Sequence, residues 1–251
     1  MKLSKILQLV VAVVLIATIS ISTSLAYLSD ADTESNVATV GNLKIELLEY
    51  ERVDTETKDT EAIVQGFQNG KLLLPAVLGQ GFDYTPGGAN VDWTQIGKEG
   101  YTSTIWDPAK INNELDKMVF VKNSGNIGAY IRNYFAFEAG SYTTLAEFQS
   151  KIHLNLNTTN WDWKWNEQLV EINGIKYFVA SATYKTVLEA GKITEISLSQ
   201  IALDSSATGE DAAAFGEEYT ILVYTQGVQA TGFENSADAL QAAFGSDIPF
   251  E

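Results

Sequence analysis

The chain contains no cysteine and a single histidine, His153. Without thiols there is no disulfide, no Cys-His dyad and no thiolate zinc site. One histidine cannot supply the zinc-peptidase pattern, which needs two histidines a helical turn apart and a glutamate as base. A Ser-His-Asp triad would have to use His153, and no G-x-S-x-G elbow is present to carry the serine. In "KIHLNLN", His153 alternates with Ile152 and Leu154 on the polar phase of a strand, so it reads as a solvated side chain. No phosphate loop is present either; "GQGFDYTPGG" has neither the spacing nor a following helix. Basic residues are also scarce, 16 against 32 acidic, for a net charge of −16. Such a surface repels nucleic acid and anionic lipid, which need Lys or Arg to neutralise phosphate. The expectation is a protein that is not an enzyme, with no cofactor, no metal and no nucleic-acid partner.

What is present begins with Lys2 and Lys5, followed by an apolar run from Ile6 to Ile21. Ser24 and Ala26 then place small residues at −3 and −1, the pattern a signal peptidase accepts. Residues 1–26 read as a signal peptide cut between Ala26 and Tyr27. The rival is a retained anchor, since the run is about long enough to span at roughly 17–25 residues. The flanks favour cleavage: no basic cluster follows, and Asp30, Asp32 and Glu34 come at once. Cleavage removes two lysines and no acid, leaving 14 basic against 32 acidic residues and a net charge of −18. Export without cysteine fits a Gram-positive secreted or surface protein, stabilised by a large core rather than by disulfides.

From Val37 onward the chain reads mostly as strands. In "NLKIELLE", Leu43, Ile45 and Leu47 share one face while Lys44 and Glu46 share the other. "KMVFVKNSGNIGAYIRNYFAFE" is two strands about Asn123-Ser124-Gly125-Asn126. "LVEINGIKYFVASATY" is a hairpin about Asn173-Gly174, the favoured type I′ pair. "KITEISLSQIAL" and "EEYTILVYTQGVQATGF" are further strands. Two short helices are expected. Thr144 and Glu147 form a capping-box pattern opening Leu145 to Lys151. Ser236 caps Ala237 to Phe244, with Gly245 ending it. Thr85 to Asp116, rich in Gly and Pro with little periodicity, reads as one long irregular excursion. Many short strands with few helices argue an all-β chain, an antiparallel β-sandwich of jelly-roll type over residues 41–251 as one domain.

Two patterns invite a binding role. Asp30, Asp32 and Glu34 alternate as in a calcium loop, but the required glycine and distal glutamate are missing; a solvated acidic linker is the better reading. Trp161, Trp163 and Trp165 in "NWDWKWNE" fall on one strand face, Asp162 and Lys164 on the other. Packing into the core is favoured over a platform for sugar rings or a neighbouring subunit, because large aromatics dominate core burial. A carbohydrate-binding surface module using these three residues is the alternative function.

Four stretches carry a family resemblance: "AYLSDADTESNVATVGNLKIELLE", "FVKNSGNIGAYIRNYFAF" with Tyr130 and Arg132, "YKTVLEAGKITEISLSQIAL", and "YTILVYTQGVQATGFENSADALQAAFG" with Gln226 and Gln229. Together they resemble the TasA/camelysin (CalY) family of exported Gram-positive proteins matured by a SipW-type signal peptidase. The resemblance implies a jelly-roll subunit of extracellular biofilm-matrix fibres. Its partners would be other copies of itself, the signal peptidase during export, and other matrix proteins or polysaccharide. The metallopeptidase label that camelysin carries does not transfer, because no histidine pair exists. In this light residues 27–40 form an assembly arm. Tyr27 and Leu28 begin it, and Val37, Ala38 and Val40 make its apolar half. A free strand can complete the open edge of a neighbour's sheet, and head-to-tail donation builds filaments. The rival is an ordinary first strand folded onto its own sheet.

Overall fold

Apolar alternation and β-branched runs dictate the frame, and antiparallel strands are the commonest regular element among the described residues. In the computed structural model the described residues are 29–32 (backbone alone), 43–53, 64–84, 106 and 110–250. The largest sheet runs in the order β1 (Ser29–Asp32), β14 (Ile221–Gln229), β8 (Ala129–Glu138), β12 (Ile175–Tyr184) and β10 (Trp161–Trp165), with β11 (Val170–Ile172) also paired to β12. A second sheet orders β6 (Leu115–Asp116), β13 (Leu198–Leu203) and β9 (Ile152–Leu156). A third orders β3 (Val64–Gly66), β2 (Ile45–Arg52) and β7 (Met118–Asn123), and β4 (Val77–Leu78) pairs with β5 (Ile111–Asn112). Every ladder is antiparallel. None of the described helices is long and apolar enough to cross a membrane.

One core joins these sheets. Ile45 from β2, Val119 and Val121 from β7, Phe135 and Phe137 from β8, Phe178 from β12 and Ile201 from β13 are all buried in it. β8 is the central strand, and its "AYIRNYFAFE" is buried on both faces. Its outer face carries Tyr134 and Ala136, which join Tyr177 and Val179 of β12 in a second apolar cluster. The Asn173-Gly174 turn has φ +52° and +82°, the left-handed pair a type I′ turn demands.

The turn at Asn123 does more than the sequence indicates. β7 pairs with β2, and β8 with β12 and β14, so the two strands it joins belong to different sheets. Asn123 is fully buried there, its amide donating to the carbonyls of Ile127 (2.7 Å) and Leu188 (3.0 Å).

Three helices are described rather than the expected two. α1 (Leu145–Lys151) carries the predicted Thr144 and Glu147 capping box and buries Phe148. α2 (Gly209–Ala213) opens on Thr208 and Asp211, a reciprocal box with Asp in the glutamate position. α3 (Ser236–Phe244) is capped by Asn235, not Ser236, whose side chain sits one residue too late to reach back to the Asp238 amide. Gly245 ends it at φ +69°.

The excursion is likewise corrected. Its last part forms β5 and β6, and Trp106 is buried against Ala76, Ile111 and Ala202. Two-residue strands are too short to show the alternation that reveals a strand. This part of the chain closes a buried ionic network. The Arg52 guanidinium donates to Asp116 from Nε (2.6 Å) and Nη2 (2.8 Å), and from Nη2 to Glu114 (2.8 Å). Gln200 donates to Asp116 as well (3.0 Å).

Candidate functional site

With the sheets in place, the candidate site is the outer edge of β14. Its "ILVYTQGVQ" alternates, with Ile221 and Val223 packed against the main core and Leu222 and Tyr224 against the cluster on the outer face. On one side β8 runs along its whole length, from Ile221 opposite Phe137 to Gln229 opposite Ala129. On the other side lies β1, from Ser29 opposite Val228 to Asp32 opposite Thr225. Within one chain, then, these four residues of the expected arm lie on their own last strand as an edge strand. β1 is short. It leaves the outer side of Ile221, Leu222 and Val223 with no described strand beside it. A strand edge presents backbone N–H and C=O groups in alternation, and the chemistry it performs is pairing with another strand.

Three residues of β14 hold this edge in place. Thr225 is fully buried and donates its hydroxyl to Asn133 Oδ1 (2.8 Å). Gln226 accepts from Arg132 Nε (3.0 Å) and Nη2 (2.6 Å), and the same Nη2 reaches the Gly245 carbonyl (3.3 Å). Burial lowers the Arg132 pKa and raises that of Tyr134, whose ring lies 5.0 Å from the guanidinium. Gly227 is where β2 crosses β14. A Cβ there would stand 2.8 Å from Ile45 Cδ1 and 3.0 Å from its Cγ2. Gly227→Val is therefore expected to destabilise the fold by about 1–3 kcal/mol, the usual scale of overpacking. A lowered urea midpoint with an unchanged slope checks it.

Beside the edge beyond β1 lies a cavity of about 430 Å³. Phe67, Lys117, Ile221, Val223 and Phe250 are among the residues that line it. Lys117 stands 3.7 Å over the Phe67 ring and donates to Glu49 (2.9 Å), so its charge is satisfied within the wall.

The other sequence-predicted residues are placed as follows. Ala26, Tyr27, Leu28, Glu34, Val37, Ala38 and Val40 lie outside the described residues. Trp161 is fully buried, its Nε1 donating to the Glu195 carbonyl (2.9 Å). Trp163 packs on Phe135, and Trp165 on Phe137 and Phe148. The three indoles thus face the core, while Asp162 and Lys164 are exposed. His153 is not a solvated side chain. Its Nε2 hydrogen-bonds Asp204 (2.6 Å) and its ring stacks on Tyr84 at 3.6 Å. The polar phase of β9 is covered there by a segment distant in sequence, which alternation cannot show. Tyr130 packs beneath α3 with Val228. Among the described residues no three His, Cys, Asp or Glu side chains converge as metal ligands.

The chain matches no protein-family model, no curated protein and no solved structure. Phe67, Lys117 and Phe250 escaped the sequence reading because cavity walls come from distant segments. The pairing of Arg132 with Gln226 was not foreseen either, because the two residues are 94 positions apart.

Proposed function

We propose that the chain is a secreted structural subunit, a jelly-roll-like β-sandwich protomer of an extracellular biofilm-matrix or surface fibre of a Gram-positive bacterium. Copies join head to tail by exchanging the N-terminal arm. The observation that carries this reading is β1, a four-residue edge strand paired with β14 in an antiparallel backbone ladder. A ladder of that kind forms equally well between two copies, and head-to-tail donation whose rotation does not close builds an open filament. The signal-peptide pattern before Tyr27, the family resemblance and the outer side of Ile221 to Val223, which no described strand pairs with, support the same reading.

A disulfide trap tests it. The chain has no cysteine, so an engineered pair is unique. Position 32 lies directly opposite 225. Such positions are about 4.5–5.5 Å apart at Cα, within disulfide range. Asp32→Cys with Thr225→Cys, assembled and then oxidised, is expected to give a ladder of covalent multimers on a denaturing gel. Fibres that dissolve into cross-linked monomers alone would reject exchange.

A further inference from the structure

We infer that the segment after α3 is an edge guard, which covers the outer edge of β14 beyond β1 and must lift before a strand of a second copy can pair there. α3 is seated on the outer face of the main sheet, where its Ala239 and Leu240 are buried with Tyr130 and Val228. The chain then leaves the helix at Gly245, where Arg132 holds the carbonyl. From there Ile248 and Phe250 pack onto the cluster of Tyr134, Tyr177, Leu222 and Tyr224. The Phe250 ring meets Tyr224 edge-on at 6.4 Å. Phe250 also lines the cavity that borders Ile221, Leu222 and Val223, with Phe67 among the residues of the remaining wall. An incoming strand needs the space beside those three residues.

Sheets commonly protect an edge by covering it with a helix or loop. Here the described attachments of the cover are the half-buried Ile248 and Phe250 and two hydrogen bonds at Gly245, one to Arg132 and one to Gln241, the kind of attachment that opens locally without unfolding the domain. The guard acts on any strand that approaches β14, so it stands or falls separately from arm exchange.

Hydrogen exchange on the full chain tests it. Ile248→Ser with Phe250→Ser is expected to speed exchange of the outward amides in 221–223 by about tenfold or more, as local opening becomes easier. Exchange in 161–165, at the opposite edge of the same sheet, is expected to stay unchanged. Sedimentation should show more self-association for the variant at matched concentration. Phe250→Ser alone makes the same comparison with a smaller perturbation. Unchanged exchange in 221–223 would overturn the guard. Equal acceleration at both edges would also overturn it, because the segment would then be holding the whole fold.

Discussion

Arg52→Leu is expected to destabilise the protein by about 3–5 kcal/mol, the scale for removing one partner of a buried ion pair. That is a large share of a total stability of about 5–15 kcal/mol. The guanidinium is fully buried, as is Asp116, and Glu114 is nearly so. The Arg52 backbone amide also donates to Asp116 (3.0 Å), so the end of β2 and β6 are joined at one carboxylate. Leucine fills part of the volume but leaves two carboxylates without a counter-charge. Burial lowers the Arg52 pKa, and its hydrogen bonds to Asp116 and Glu114 more than restore it. Burial raises the Glu114 pKa above the ordinary carboxylate value even with Arg52 beside it. A carboxyl raised in this way adds stability below its unfolded pKa and loses it as pH rises through the folded one. The deficit of Arg52→Leu relative to the native protein should thus be smaller in acid, where Glu114 is protonated, and grow as the pH rises toward neutral. Urea unfolding at several pH values measures it. Adding Glu114→Gln and Asp116→Asn to Arg52→Leu is expected to recover part of the loss at pH 7, because the unpaired charges are gone.

Deleting residues 27–40 from the mature chain is expected to abolish fibre growth while leaving a folded, soluble monomer. If the arm completes a neighbour's sheet, the truncated chain still offers its β14 edge. A synthetic peptide covering Tyr27 to Val40 should then bind it and cap growing fibres. If the arm serves only its own chain, deletion strips β1 from β14 in every molecule. Each hydrogen bond so lost is worth only about 0.5–1.5 kcal/mol net, but several go together. Sedimentation reads the first outcome and urea unfolding the second. A truncated chain that still makes fibres of normal length would rule out exchange through this arm.

The helix and turn signals were legible because they act within a few residues. Thr144 and Glu147 satisfy each other's backbone amides three positions apart, and the pair predicted α1. Asn173-Gly174 predicted its hairpin because few other residue pairs adopt two left-handed conformations in succession. The same logic read past α2, where Asp211 replaced the expected glutamate, and set the start of α3 one residue late. The inward packing of the three tryptophans was also legible, from strand alternation and the burial that large aromatics favour.

Composition and local periodicity by themselves determined that this chain builds antiparallel sheets over a core without disulfides, and which face of β2 and β10 turns inward. Side-chain direction repeats every two residues along a strand, so a short window contains it. Pairing is not local. Nothing within "FVKNSGNIGAYIRNYFAF" says that its two strands belong to different sheets. Nothing in "KIHLNLN" places Tyr84 over His153. Arg52 meets Asp116 across 64 residues and Arg132 meets Gln226 across 94. Only the tertiary structure decided which edge β1 occupies, that the edge beyond it borders a cavity, and that Phe250 from the segment after α3 lines that cavity. Each depends on segments far apart in the chain meeting in space, where burial and hydrogen bonding together outweigh the entropy of closing the long loops between them.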